Sequence, residues 1–222
     1  MDETQDQTKL QPDFGPTQRI IFGMGCFWSP EALFGHMPGV VRTRVGYSGG
    51  HTPNPTYRDM GDHTETVLVE FAPALLPFRQ IVNVFWDRHN PYNINDYKGR
   101  QYQSLLLYED ETQRADIETV LEERRKKGLE RPDTEIRTFS TFYPAEERHQ
   151  KYYLKRFPHA FETVMSIFGE HDAFNDSTLA ARLNGLAKGY TSLERIKAEI
   201  GTWNMGEKER AYILDEISSI RW

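Results

Sequence analysis

Ile20-Ile21-Phe22-Gly23-Met24 runs directly into Gly25-Cys26-Phe27-Trp28-Ser29-Pro30-Glu31, and this join of an apolar run to a helix start organises the reading of the chain. Arg19 to Met24 reads as a strand that delivers Cys26 to its end. Ser29 suits the N-cap position, and Pro30 suits the first helical position, where its missing N–H is not needed. Cys26 is the only cysteine in 222 residues. A thiol ahead of a helix N-terminus lies in the positive end of the backbone dipole, which favours the thiolate. Two readings of it stand at this point: a nucleophile, or a small buried hydrophobe.

Working outward, Glu31 to Met37 continues the helix, which Pro38-Gly39 ends, and Val40 to Val45 is a second strand. Residues 46–57 are dense in Gly and Pro and mark a long loop. In His63 to Phe71, Glu65 falls in phase with Val67, Val69 and Phe71, the apolar face of an alternating strand. An inward carboxyl there would have its pKa raised by desolvation, the property required of a general acid near neutral pH; solvated just outside the sheet, it would not. Pro77 to His89 is an amphipathic helix with Phe78, Ile81, Val82, Phe85 and Trp86 on one stripe. Tyr102 to Tyr108 reads as strand, Glu111 to Lys127 as helix, Asp133 to Phe139 as strand and Ala145 to Arg156 as helix. This order predicts an α+β fold, a ferredoxin-like βαββαβ sandwich core with a mostly antiparallel sheet.

Three segments are expected: a flexible lead-in over 1–17, a core domain over 18–157, and a helical extension over 158–222. In the extension Leu179, Leu183, Leu186, then Leu193, Ile196, Ile200, then Tyr212, Ile213, Ile217 and Ile220 recur at helical spacing. It is too short to rely on a core of its own, so its apolar faces are expected to dock on the sheet domain or on another subunit.

The net charge of −6 argues against nucleic acid as a partner. No run is apolar enough to cross a bilayer, and the acidic N-terminus has neither secretory nor transit character, so a cytoplasmic location is expected. A single cysteine excludes a cysteine-rich zinc site, and the seven histidines show no ligand spacing, so no metal is expected. His63, two residues before Glu65, either lines the same site or is a polar strand-end residue.

Six motifs then resemble, in order and spacing, the type A peptide methionine sulfoxide reductases. They are Gly25-Cys26-Phe27-Trp28; Gly46-Tyr47-Ser48-Gly49-Gly50 with Pro53-Asn54-Pro55-Thr56-Tyr57; His63-Thr64-Glu65; Phe85-Trp86-Asp87-Arg88-His89-Asn90-Pro91; Gly99-Arg100-Gln101-Tyr102-Gln103-Ser104; and Glu146-Glu147-Arg148-His149-Gln150-Lys151-Tyr152. The resemblance covers about residues 18–157. It implies that Cys26 attacks the sulfoxide sulfur, that Glu65 protonates its oxygen, and that Tyr57 and Tyr102 donate hydrogen bonds to that oxygen. Phe27 and Trp28 would wall the pocket for the S-methyl group. The chemistry is coherent in itself, since a thiolate is a soft nucleophile suited to sulfur and the oxygen leaves only once protonated.

The chain departs from the family in two places. Asn95-Asp96 is separated from Gly99 by two residues where the family has one, which shifts the register of Asp96, the remaining substrate-binding candidate. Many relatives also carry further cysteines near the C-terminus that resolve the oxidised nucleophile; none is present here. The expected activity is thiol-dependent reduction of free or protein-bound methionine-S-sulfoxide through a Cys26 sulfenic acid, repairing oxidised proteins, with no cofactor. Thioredoxin, or glutathione with glutaredoxin, would be the external reductant. Competing readings are a module that binds methionine or its sulfoxide without turnover, and a stereospecific methionine oxidase at the same site.

Overall fold

A computed structural model of the chain describes residues 10–92 and 99–222. The strands are β1 Gln18–Met24, β2 Val40–Ser48, β3 Thr64–Phe71, β4 Ser104–Tyr108, β5 Glu135–Thr138 and β6 Phe142–Pro144. They form one sheet in the order β5-β4-β1-β3-β2-β6. All pairings are antiparallel except β4 with β5. The central order β4-β1-β3-β2 is that of the expected βαββαβ sandwich.

Alternation along the strands sorts the two faces. Ile20, Phe22 and Met24 of β1, with Val67, Val69 and Phe71 of β3, pack against α1 (Trp28–Gly35), α2 (Phe78–Asp87) and α3 (Glu111–Lys126). All five apolar stripe residues of α2 are buried there. Ile21, Leu105 and Leu107 point the other way and meet Leu68, Phe139 and Phe142. Helix α3 has a side-chain cap, Asp110 accepting from the Gln113 N–H at 2.8 Å.

Two local expectations are corrected. Ser29 is not the N-cap of α1: the helix begins at Trp28, Phe27 holds the cap position without a side-chain bond, and the Ser29 hydroxyl lies 2.9 Å from that of Tyr153. Residues 145–156 are not a helix. They form short 3₁₀ turns at Glu147–His149 and Leu154–Arg156, with Lys151 at φ +50° between them, and strand β6 precedes them unannounced. Contacts with distant residues outweigh local helix preference here. The Gln150 amide takes the place of a strand partner, accepting from the Val45 N–H at 3.0 Å and donating to the Val45 and Ala145 carbonyls at 2.8 and 2.9 Å.

The C-terminal part consists of α4 (Pro158–Phe168), α5 (His171–Asn175), α6 (Thr178–Lys188), α7 (Leu193–Ile200) and α8 (Glu207–Ser219). These helices bury apolar side chains on one another, which the sequence reading did not expect, while α6 packs on α1 and β2 of the sheet domain, which it did. Leu154, Val164, Phe168, Leu183, Ile196, Trp203, Ile213 and Ile217 form a cluster of their own. Residues 10–12 of the lead-in are packed: Leu10 belongs to that cluster, and Gln11 accepts from the Thr178 N–H at 3.1 Å.

Helix α6 attaches this cluster to α1. A Cβ at Gly35 would lie 2.7 Å from the Ala181 carbonyl oxygen, so the two backbones approach as closely as they do only because no side chain intervenes. The buried Arg182 guanidinium donates to the Gly35 and Val40 carbonyls at 2.7 and 2.8 Å and pairs with Glu199 at 2.8 Å. No described helix is long and apolar enough to cross a membrane.

Candidate active site

Gly25, at φ +81°, lets the chain leave β1 and turn at once into α1. This places Cys26 between strand end and helix start, where it is partly exposed. The thiol is hydrogen-bonded to the Trp28 backbone, and the Phe27 N–H donates to Glu65 Oε2 at 3.1 Å. The free N–H groups at the start of α1, which have no intrahelical partner, are thus spent on the sulfur and on the carboxylate.

Glu65 is buried, 1% exposed, which settles its inward phase. Its second oxygen, Oε1, accepts from Gln101 Nε2 at 2.8 Å. Burial pushes the Glu65 carboxyl above the usual carboxylate range, against the lowering by Gln101 and the Phe27 N–H. Burial also pushes the Cys26 thiol up, a correction to the expectation from the helix dipole alone. The Trp28 bond pulls it down by less, and the Glu65 charge adds to the rise. Because the Phe27 N–H next to the thiol in the chain binds the Glu65 carboxyl, the two groups share one site.

Tyr57 completes it from the long loop. Its hydroxyl is hydrogen-bonded to Tyr102, and its pKa is raised by burial and then by the neighbouring Glu65 and Cys26 charges. Glu146 fixes this tyrosine, accepting from the Tyr57 N–H at 3.1 Å and from the Tyr47 hydroxyl at 2.7 Å. Tyr102 closes the 3₁₀ turn Arg100–Tyr102 that also carries Gln101. Phe27 and Trp28 stand beside the thiol with ring centroids 6.4 Å apart. The structure therefore brings together Cys26, Glu65, Phe27, Trp28, Tyr57 and Tyr102. Asp96 lies outside the described residues.

Several contributors carry no signal readable in isolation. His149, 5% exposed, lies 5.5, 5.9 and 4.6 Å from the rings of Phe27, Trp28 and Tyr57, and burial holds its imidazole toward the neutral form. Tyr152 stacks flat on Trp28 at 3.8 Å and 5°. Behind them Lys151 and Glu31 form an ion pair with both side chains fully buried: Nζ reaches Glu31 Oε1 at 2.7 Å and the Lys151 N–H donates to Oε2 at 2.8 Å. The only sequence mark of His149, Lys151 and Tyr152 was membership in a matched motif, and that of Glu31 its place in the first turn of α1. His63 stands apart, since its ring accepts from the Gly50 N–H at 3.1 Å and meets the Thr52 carbonyl at 2.8 Å, bracing the loop. Among the described residues no group of three or more His, Cys, Asp or Glu side chains is placed to hold a metal ion.

A lone thiol at a helix start, beside a buried carboxyl and an aromatic wall, on an antiparallel α+β sandwich, defines a thiol-based oxidoreductase site. The family model described as peptide methionine sulfoxide reductase matches residues 18–180. A Drosophila melanogaster peptide methionine sulfoxide reductase is 40% identical over 192 residues, covering 86% of this chain and 76% of the relative. One from Methanococcus maripaludis is 40% identical over 63% of this chain and 94% of its own. Among solved structures, methionine sulfoxide reductase A of Corynebacterium diphtheriae superposes with a TM-score of 0.55 at 34% identity, covering 67% of this chain and 82% of that one. Mxr1 of Saccharomyces cerevisiae in reduced form gives 0.58 at 26% identity, over 66% and 90%. The chain belongs to the peptide methionine sulfoxide reductase family.

Proposed function

We propose that this protein reduces methionine-S-sulfoxide, free or within a polypeptide, with Cys26 as nucleophile and Glu65 as general acid. The observation that carries the reading is the Phe27 residue shared between them: its backbone N–H holds the Glu65 carboxyl, and its chain neighbours are the thiol and the Trp28 wall. The Cys26 thiolate attacks the sulfoxide sulfur while Glu65 protonates the departing oxygen, aided by hydrogen bonds from Tyr57 and Tyr102. Water then takes the place of the product at the Cys26 sulfur. In net terms the S–O bond breaks, methionine sulfur gains two electrons, and Cys26 ends as a sulfenic acid. Phe27 and Trp28 hold the S-methyl group by apolar contact.

Cys26 is the sole cysteine of the sequence, so no second thiol within it can close a disulfide on the sulfenic acid. Two external thiol equivalents return it to the thiol, releasing water and an oxidised disulfide; thioredoxin, or glutathione with glutaredoxin, in the cytoplasm would serve. The test is consumption of a chiral methionine sulfoxide with dithiothreitol by wild type, Cys26→Ser and Glu65→Gln. Wild type is expected to consume the S epimer and Cys26→Ser to be inactive, whereas equal rates in all three would remove the reading.

A further inference from the structure

From the Cys26 pocket a row of aromatic rings runs outward toward the C-terminal helices. Trp28 carries Tyr152 flat on its face, and Tyr153 meets Tyr152 edge-on at 5.4 Å. Three half-buried rings there each carry an exposed cation: the Arg148 guanidinium lies 6.0 Å from Tyr57, Arg156 5.8 Å from Tyr152, and Lys188 Nζ 4.5 Å from Tyr153. Lys188 comes from the last turn of α6, so the C-terminal helices supply one end of the row.

The charge balance along this row runs against that of the molecule. The chain as a whole carries −6, yet two carboxylates of the adjoining segment are engaged. Glu146 is bound to Tyr47, the Tyr57 N–H and Arg148, and Glu147 to Lys155 at 2.6 Å and Asn175 at 2.6 Å. Among the described residues, Arg156 and Lys188 have no carboxylate within ion-pair distance. Two exposed cations lie over Tyr152 and Tyr153, rings joined by contact to Trp28 beside the thiol, and the pair is complementary to an acidic chain. The steps of 3.8 and 5.4 Å between ring centroids match about one to two residues of extended polypeptide each.

We infer that this row binds the acidic flank of a polypeptide substrate, so that the protein prefers methionine sulfoxide next to Asp or Glu. The inference rests on the proposed reductase function and specifies its substrate class. Arg156 meets a carboxylate close to the sulfoxide, and Lys188 one further along the chain.

The experiment compares kcat/KM for three short blocked peptides carrying methionine-S-sulfoxide flanked on both sides by Glu, Gln or Lys, with dithiothreitol as reductant at low ionic strength. Exposed charge pairs contribute a few tenths to about 1 kcal/mol each, so two of them predict a preference of about fivefold for the Glu over the Lys peptide. It should appear in KM and shrink as salt is added. Arg156→Glu with Lys188→Glu should invert the order. Should that pair fail to fold, the single changes Arg156→Gln and Lys188→Gln at these exposed sites should each lower the ratio.

Equal kcat/KM for all three peptides in wild type overturns the inference while leaving the reductase reading intact, because the Gln peptide is still reduced. A ratio unmoved by the substitutions, with KM for thioredoxin altered instead, also overturns it and assigns the row to the reductant. Failure to reduce any peptide removes the reductase function, and this inference with it.

Discussion

Residues 18–35 and residues 145–156 meet at the same thiol, but different forces hold them. The first region satisfies its backbone locally, as strand β1 and helix α1, and buries alternate apolar side chains on both sheet faces. The second has little regular structure. It is fixed by single polar side chains reaching to or from distant residues: Gln150 on β2, Lys151 on Glu31 and Glu146 on the long loop. Apolar burial is non-directional and tolerates small adjustments, whereas buried polar groups require their partners at set positions. The first region therefore places the nucleophile, and the second seats His149 and Tyr152 against the Phe27 and Trp28 rings beside it.

Substitutions can separate these contributions. The largest effect is expected at the first region: Cys26→Ser should bring turnover to background, and mass spectrometry of wild type after one turnover without reductant should find Cys26 as a sulfenic acid. An unmodified thiol after product release would contradict the proposed chemistry. Glu65→Gln should lower kcat by about 10² to 10⁴, the usual contribution of a positioned acid.

The pH profile should change in form as well as height. With Glu65 protonated and Cys26 ionised as the reactive state, and the thiol titrating above the carboxyl, wild-type kcat/KM should be bell-shaped, its acid limb breaking at the carboxyl and its alkaline limb at the thiol. Both groups titrate above their ordinary values. In Glu65→Gln the alkaline descent should vanish. For stability the sign is opposite to that of a salt-bridged carboxylate. A raised folded pKa gives stability that is full below the ordinary carboxyl pKa and lost as pH rises through the folded value. Glu65→Gln should therefore melt higher than wild type at neutral pH and not in acid, which a pair of melting curves will show.

In the second region, Lys151→Met leaves the Glu31 charge buried without its partner and should cost about 3–5 kcal/mol in denaturant titration. Restoring much of that loss with Glu31→Gln in the same chain would attribute it to the unpaired charge; no recovery would instead point to lost packing. The smallest effect is expected away from both regions. Asp110→Ala removes the side-chain cap of α3 and should cost about 1 kcal/mol with turnover unchanged. A change in turnover there would show that the site depends on a distant helix.

Much of the architecture is legible in the residues because it depends on periodicity. The phase of Glu65 with Val67, Val69 and Phe71 places it inward, and the five-residue stripe on α2 is buried as spaced. The reading fails where a side chain far along the chain replaces a local bond. Ser29 has the chemistry of a cap but faces Tyr153, and residues 145–156 have helix-forming composition but bind Glu31 and β2 instead. The C-terminal helices were legible as helices, though not in what they cover, because an apolar stripe specifies that it must be buried and not against which partner.

The order of strands β1 to β5 and helices α1 to α3, and the thiol at the end of β1, follow from sequence alone, since each is set by neighbours within a few residues; for Glu65 the strand phase left two readings, and burial chose the inward one. The third dimension alone decided the thiol's raised pKa, the seat of His149 and Tyr152 beside Trp28, and the buried Lys151–Glu31 pair. Desolvation and charge pairing depend on groups brought close from distant positions, more than a hundred away for Tyr152 and Lys151, and no local pattern encodes them.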